Sequence, residues 1–218
     1  MWGLDLIEPM PTGTKGGTKH AIVAVDYFTK WAEAEALVHI TEANTTSFVK
    51  KNIIYQFGIP SIIITDNGTQ FDNKKFREMC EEFKIANNYA SPAHPQTNGQ
   101  TEAVNKVIKH TLKAKLEAKK GDWADKLPKV LWAYRTTVRS STGETPFALA
   151  FGTEAVIPVK TTFTSPRVQL YSPEHNIDML QQNLDELEKI RDAAQVRNSA
   201  YQQRAARYYN SHVRERRF

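Results

Sequence analysis

Short apolar runs alternate with helix-spaced segments over the first ninety residues of the chain. Residues 2–8 read as a short strand, and Pro9, Pro11, Gly13, Gly16 and Gly17 then mark a loop. Residues 19–28 are β-rich and nearly continuously apolar, which suits a central buried strand. A tight turn at Thr29-Lys30 leads to a further strand over 31–38. Residues 42–57 predict an amphipathic helix, with Phe48, Ile53 or Ile54, and Phe57 at helical spacing. Thr41 suits its N-cap, and Gly58 with Pro60 closes it. Ile62–Thr65 is a short buried strand, and residues 73–83 form a helix with Phe76, Met79, Cys80 and Phe83 on one face. Ile85–Tyr89 is another strand.

In the second half, Pro92, Pro95 and Gly99 make 91–100 a loop. A Lys-rich helix over 100–120 follows, then a helix over 122–137 striped by Trp123, Leu127, Val130, Leu131 and Tyr134. The order β-β-β-α-β-α-β-α-α describes a mixed sheet flanked by helices. Residues 152–172 are irregular, and 174–209 hold helical spacing throughout, from Ile177 to Tyr208. A helix of that length reaches ~50 Å and should dock on the core or pair with another chain.

Composition narrows the class. No apolar run approaches the length needed to span a membrane, and no N-terminal stretch reads as a signal peptide. Cys80 is the only cysteine, which excludes an internal disulfide framework and any zinc site needing two cysteines; a reducing compartment, cytosol or nucleus, follows. The net charge of +5 is localised: residues 191–218 hold seven arginines against Asp192 and Glu215, leaving 1–190 formally neutral. Such a tail suits an acidic partner, nucleic acid foremost, or is a solvated helix face.

Three carboxylates carry the candidate chemistry. Asp66 opens D-N-G-T-Q-F directly after a buried strand, where ligands collect in mixed α/β sheets, although D-N-G alone is a turn signal. Asp5 sits in the first strand, where a lone acid usually faces solvent. Asp26 competes, but a turn at the strand edge explains it. Glu102 opens the Lys-rich helix, 36 positions after Asp66, with Lys106, Lys109 and Lys113 on its stripe. The bland reading is an i,i+4 ion pair with Lys106; the functional one is an acid at a metal with lysines tracking a phosphate backbone. Such carboxylates can converge on divalent metal for phosphoryl transfer.

Four strings, W-G-L-D, V-A-V-D-Y-F-T-K-W-A-E-A-E, I-T-D-N-G-T-Q-F and H-P-Q-T-N-G-Q-T-E-A-V-N-K, together resemble, in that order, the catalytic core of a retroviral-type integrase. The likeness is specifically to plant Ty3/gypsy long-terminal-repeat retrotransposons, and T-P-F-A-L-A-F-G-T-E-A-V-I-P-V resembles the same branch. The 35 residues between Asp66 and Glu102 match that family's D,D-35-E signature. The resemblance implies an α/β RNase H-like fold, a five-stranded mixed sheet flanked by helices with a long C-terminal helical extension. It implies that Asp5, Asp66 and Glu102 are catalytic and bind two Mg²⁺, replaceable by Mn²⁺, Asp5 bridging both ions. It implies pocket-shaping roles for Asn67, Gln70 and Gly99, a mobile loop carrying Pro95, Gln96 and Asn98, and DNA contacts from Gln96, Asn98, Lys106, Lys109 and Lys113.

The expected organisation is an integrase core at 1–158, a linker at 159–173 and a basic helical extension at 174–218. The expected activity is 3′-end processing and strand transfer on DNA in the nucleus, with a cytoplasmic particle before entry. DNA ends and target duplex are the expected partners, with no membrane and no small-molecule substrate. Self-association is expected because Trp123, Trp132 and Tyr134 exceed what a small core needs. The rivals are an RNase H-like nuclease or transposase sharing the metal site, and a catalytically idle DNA-binding fragment. The family's full enzyme has an N-terminal zinc domain that one cysteine cannot supply, so the chain reads as a fragment.

Overall fold

The computed structural model describes residues 1–7, 17–89, 106, 110, 123–155 and 173–211. Its contacts divide the chain into two compact units, Met1–Arg135 and Thr136–Phe218.

The first unit is built on five strands: β1 (Trp2–Ile7), β2 (His20–Asp26), β3 (Ala32–Leu37), β4 (Ile62–Thr65) and β5 (Ala86–Tyr89). Their order is β3-β2-β1-β4-β5. The hairpin-linked strands pair antiparallel, while β4 and β5 arrive through helical crossovers and pair parallel. This is the mixed sheet that the element order implies. β1 therefore lies at the centre, antiparallel to β2 on one side and parallel to β4 on the other.

Two layers cover the sheet. On one face α4 (Trp123–Arg135) lays Trp123, Leu127, Val130, Leu131 and Tyr134 against Ile7, Val23, Val25 and Ala32. Trp123 and Tyr134 are thus core residues, only 1% and 5% exposed, rather than surplus aromatic surface; Trp132 is left exposed. The helical segment over 42–57 is α1 (Glu42–Val49), a π-helical stretch at Lys50–Ile54, and α2 (Tyr55–Phe57). Thr41 caps α1 by accepting from the Asn44 N–H, and Gly58 ends α2 at φ 86°. Ile53 and Ile54, at the end of the π-helical stretch, are both buried. α3 (Lys74–Glu82), capped by Asn73, buries Phe76, Met79 and Cys80.

The second unit holds a helix that its six residues hide from periodicity analysis, α5 (Pro146–Phe151). Thr145 caps it, Pro146 stands at its start and Gly152 closes it at φ 73°. α6 (Pro173–Ser211) is the long extension, 39 residues and so ~58 Å. Arg191 donates to the Leu149 and Ala150 carbonyls at the end of α5, and Leu187 and Ala194 are buried. Among the described residues no helix is long and apolar enough to cross a membrane.

One clamp ties α4 to the edge strand. The Arg135 guanidinium donates twice to the Ala32 carbonyl (2.9 and 2.7 Å), pairs with Glu33 at 2.7 Å, and lies 4.3 Å over the Trp31 ring. The Trp31 indole N–H donates to the same carboxylate at 2.8 Å. Truncating one member of such a buried pair strands the other charge. Arg135→Ala should therefore lose about 3–5 kcal/mol of unfolding free energy in urea, whereas an Arg135→Met, Glu33→Leu double variant should recover much of it.

Lys30 adds a pH dependence. It turns the β2–β3 hairpin at φ 62°, is 6% exposed, and donates to the Tyr27 carbonyl at 2.6 Å. Burial pushes its ammonium down to about 8, against the opposing pull of Asp26. Between that value and the ordinary 10.5 the unfolded chain holds the extra proton, so stability rises with pH across the window. Burial pushes the Cys80 thiol up to about 11, which works the other way above pH 9. Urea midpoints measured from pH 7 to 10 should show the Lys30 rise in wild type and its absence in Lys30→Met, with the Cys80 contribution common to both.

Candidate active site

The parallel register positions the two described acids. Trp2 lies opposite Ile63 and Gly3 opposite Ile64. Continued by two residues, that register brings Asp5 level with Asp66, on strands ~4.8 Å apart. Alternation carries both toward one face. Asp5 pairs with Val23 across β2 and so shares the face of Ile7 and Val25, and Asp66 follows Ile64 by two. The competitor Asp26 lies opposite Trp2 and takes the other face. There its carboxylate accepts from the Thr29 N–H and hydroxyl (2.9 and 2.7 Å), with the Met1 amino group 3.6 Å away, which is a turn-capping role.

Asp5 is half-buried and accepts from the Leu6 N–H at 2.7 Å. Asp66 is held by the loop it opens. Its Oδ1 accepts from the Gly68 N–H at 3.1 Å and from the Gln70 side-chain amide at 3.3 Å. Among the described residues its Oδ2 has no hydrogen-bond donor. Gly68 gives the Gln70 amide room, since a Cβ there would run into that side chain. The Gln70 carbonyl accepts from Thr45 (3.2 Å) and from Asn73 (3.0 Å), so α1 and the α3 cap both fix the loop. Phe71, fully buried and edge-on to Phe76 at 5.7 Å, anchors it.

The DNGTQF string is therefore more than a turn. Gln70 orients the acid, while Asn67 is exposed. Thr45 and Asn73 were not among the site residues expected from the sequence. Asn73 carried a signal, an Asn directly before a helical pattern; Thr45 carried none, because its contact spans 25 positions.

The remaining expectations fall differently. Lys106 is helical and exposed. Gln96, Asn98, Gly99, Glu102, Lys109 and Lys113 lie outside the described residues. Among the described residues no three His, Cys, Asp or Glu side chains form a metal-holding group. The pair that is described fits a hard divalent cation: both donors are carboxylates, and Mg²⁺ is commonly held by one or two carboxylates, water and phosphate oxygens.

A five-stranded mixed sheet with one acid on its central strand and another directly after the neighbouring parallel strand is the layout of an RNase H-like core. The human T-lymphotropic virus 2 (HTLV-2) integrase catalytic core domain, solved with magnesium in a trimeric form, superposes with a TM-score of 0.57 at 24% identity, over 68% of this chain and 94% of that one. Residues 1–95 match the integrase core domain family. The chain is 34% identical to the Gag-Pol polyprotein of avian reticuloendotheliosis virus over 152 residues, 69% of the chain and 13% of the polyprotein. It is 28% identical to the Transposon Tf2-3 polyprotein of Schizosaccharomyces pombe over 147 residues, 67% of the chain and 11% of that polyprotein. The chain thus carries a retroviral or retrotransposon integrase core domain, the catalytic core of a DDE-type polynucleotidyl transferase family, and spans a small part of the polyproteins it matches.

The loop architecture makes a contrast testable. Phe71→Ala should cost about 3–5 kcal/mol in urea unfolding, as a fully buried aromatic does. Gln70→Ala should leave the urea midpoint nearly unchanged, because its amide reaches only the acid.

Proposed function

We propose that this chain is the catalytic core of a plant Ty3/gypsy retrotransposon integrase that processes the 3′ ends of element DNA and joins them to a target duplex. The observation that supports the reading is the parallel β1–β4 register, Trp2 opposite Ile63 and Gly3 opposite Ile64, whose continuation past β4 points Asp5 and Asp66 toward one another. Asp5 and Asp66, joined by Glu102 from the Lys-rich helix, are the residues that hold divalent metal. Two Mg²⁺ ions, replaceable by Mn²⁺, supply Lewis-acid activation of the attacking oxygen and stabilise the leaving one when bound.

The protein's own contribution is positioning. Gly68 and Gln70 hold Oδ1 of Asp66. Asp5 is fixed on the central strand, between β2 and β4. Lys106, exposed on its helix, and Lys109 and Lys113 on the same stripe hold the phosphate backbone of the element end. Magnesium in the HTLV-2 core and the polyprotein matches support this reading. The site of action is the nucleus, and the working form is a homo-oligomer, as the trimeric HTLV-2 core suggests by likeness.

The purified chain should nick a supercoiled plasmid or resolve a branched element-end substrate in Mg²⁺. Asp66→Asn and Asp5→Asn should each lower that rate about a hundredfold or more, the loss of several kcal/mol of charge stabilisation. Calorimetric titration with Mn²⁺ should lose its binding heat in the same variants. Equal rates and equal heats in wild type and Asp66→Asn would remove the catalytic assignment.

A further inference from the structure

Charge is segregated along α6 to a degree that its helix ends do not explain. Residues 174–192 carry six acids against Lys189 and Arg191, whereas 193–211 carry Arg197, Arg204 and Arg207 and no acid. The helix dipole favours this polarity, but its effect fades within the last turn, and Arg197 lies fourteen residues from Ser211. Arg197, Tyr201, Arg204 and Tyr208 follow at i, i+4, i+7 and i+11, so they form one stripe ~16 Å long. The rings on it are large and open to solvent: Tyr201 is 46% and Tyr208 64% exposed. The Arg197 side chain is 54% exposed while holding the Thr142 carbonyl at 3.2 Å. A solvated helix face does not require aromatic rings between its arginines.

We propose that this stripe is a nucleic-acid-strand surface, with phosphates at the arginines and unpaired bases stacked on Tyr201 and Tyr208. The stripe itself carries two arginines and no acid, and with Glu144 3.5 Å from Arg197 its net charge stays positive, which suits a polyanion. That polyanion is single-stranded because tyrosine faces stack on bases only where those bases are unpaired. A second copy of the chain, its acid-rich 174–192 half laid antiparallel on the stripe, is the other occupant such a helix could take, but it gives no reason for exposed aromatic rings between the arginines. The proposal rests on the integrase reading only for the source of the strand, and it places strand binding on the second unit, independently of metal.

The test is fluorescence anisotropy of a labelled single-stranded oligonucleotide with the full chain in EDTA. Tyr201→Ala with Tyr208→Ala should weaken binding at least about tenfold, and the Phe pair should restore it, since stacking is worth ~1–3 kcal/mol per base. The same Ala pair should change affinity for the matching duplex less than about threefold. Arg204→Gln should reduce the slope of log affinity against log salt by about 0.7. Unchanged single-strand affinity in the Tyr→Ala pair, with native far-UV dichroism, overturns the proposal. So does an equal loss on duplex, or a change in light-scattering mass with oligonucleotide affinity intact, which assigns the stripe to a second copy. Metal-dependent nicking is read separately: its loss with tyrosine-dependent binding intact leaves this inference standing, and the reverse removes it alone.

Discussion

The pairing of β1 with β4 in parallel is the constraint on which the rest depends. It is a short contact between two strands sixty positions apart, and it converts two unremarkable acids into neighbours. Neither acid has special surroundings within its own segment. Asp5 bonds its neighbour's N–H and Asp66 bonds its own turn. Only the non-local register makes them a pair, and the buried residues around them serve that register. Leu4, Ile63 and Ile64 are almost wholly removed from water, on both faces of the sheet, so a one-residue slip would exchange isoleucine for isoleucine but turn Asp66 to the other face.

The supports of the site come from both layers. The loop after β4 is pinned by Phe71 below and by Thr45 and Asn73 at its far carbonyl, which ties Asp66 to α1 and α3. The opposite layer is held by α4, whose aromatic stripe is committed to β2 and β3 and whose last residue clamps the edge strand. A central strand carries Asp5, a loop pinned to packed helices carries Asp66, and such support is what a site held to sub-ångström tolerance needs.

What could be read from the sequence was local. Ile62–Thr65 matches its strand residue for residue, and Thr41 and Gly58 cap their helix as their chemistry dictates. Three features were not legible. α5 is too short to show a period, though Thr145, Pro146 and Gly152 punctuate it. The π turn at Lys50–Ile54 spans five residues, too few to shift the helical spacing of the apolar positions around it. Trp123 and Tyr134 looked like surplus aromatic surface because composition cannot reveal how much sheet β2 and β3 offer for burial. The same limit applied to Asp5: alternation within one strand cannot tell which other acid shares its face until its partner strand is known.

The central claim is that the Asp5 and Asp66 carboxylates share metal on one face of the sheet. Anomalous scattering from Mn²⁺-soaked crystals tests it most directly. The account predicts an anomalous peak within ~2.3 Å of an oxygen from each aspartate, near the coordination distance of a hard divalent cation. Mn²⁺ bound elsewhere, with the Asp5 side chain on the face of Trp2 and Leu4, would contradict it.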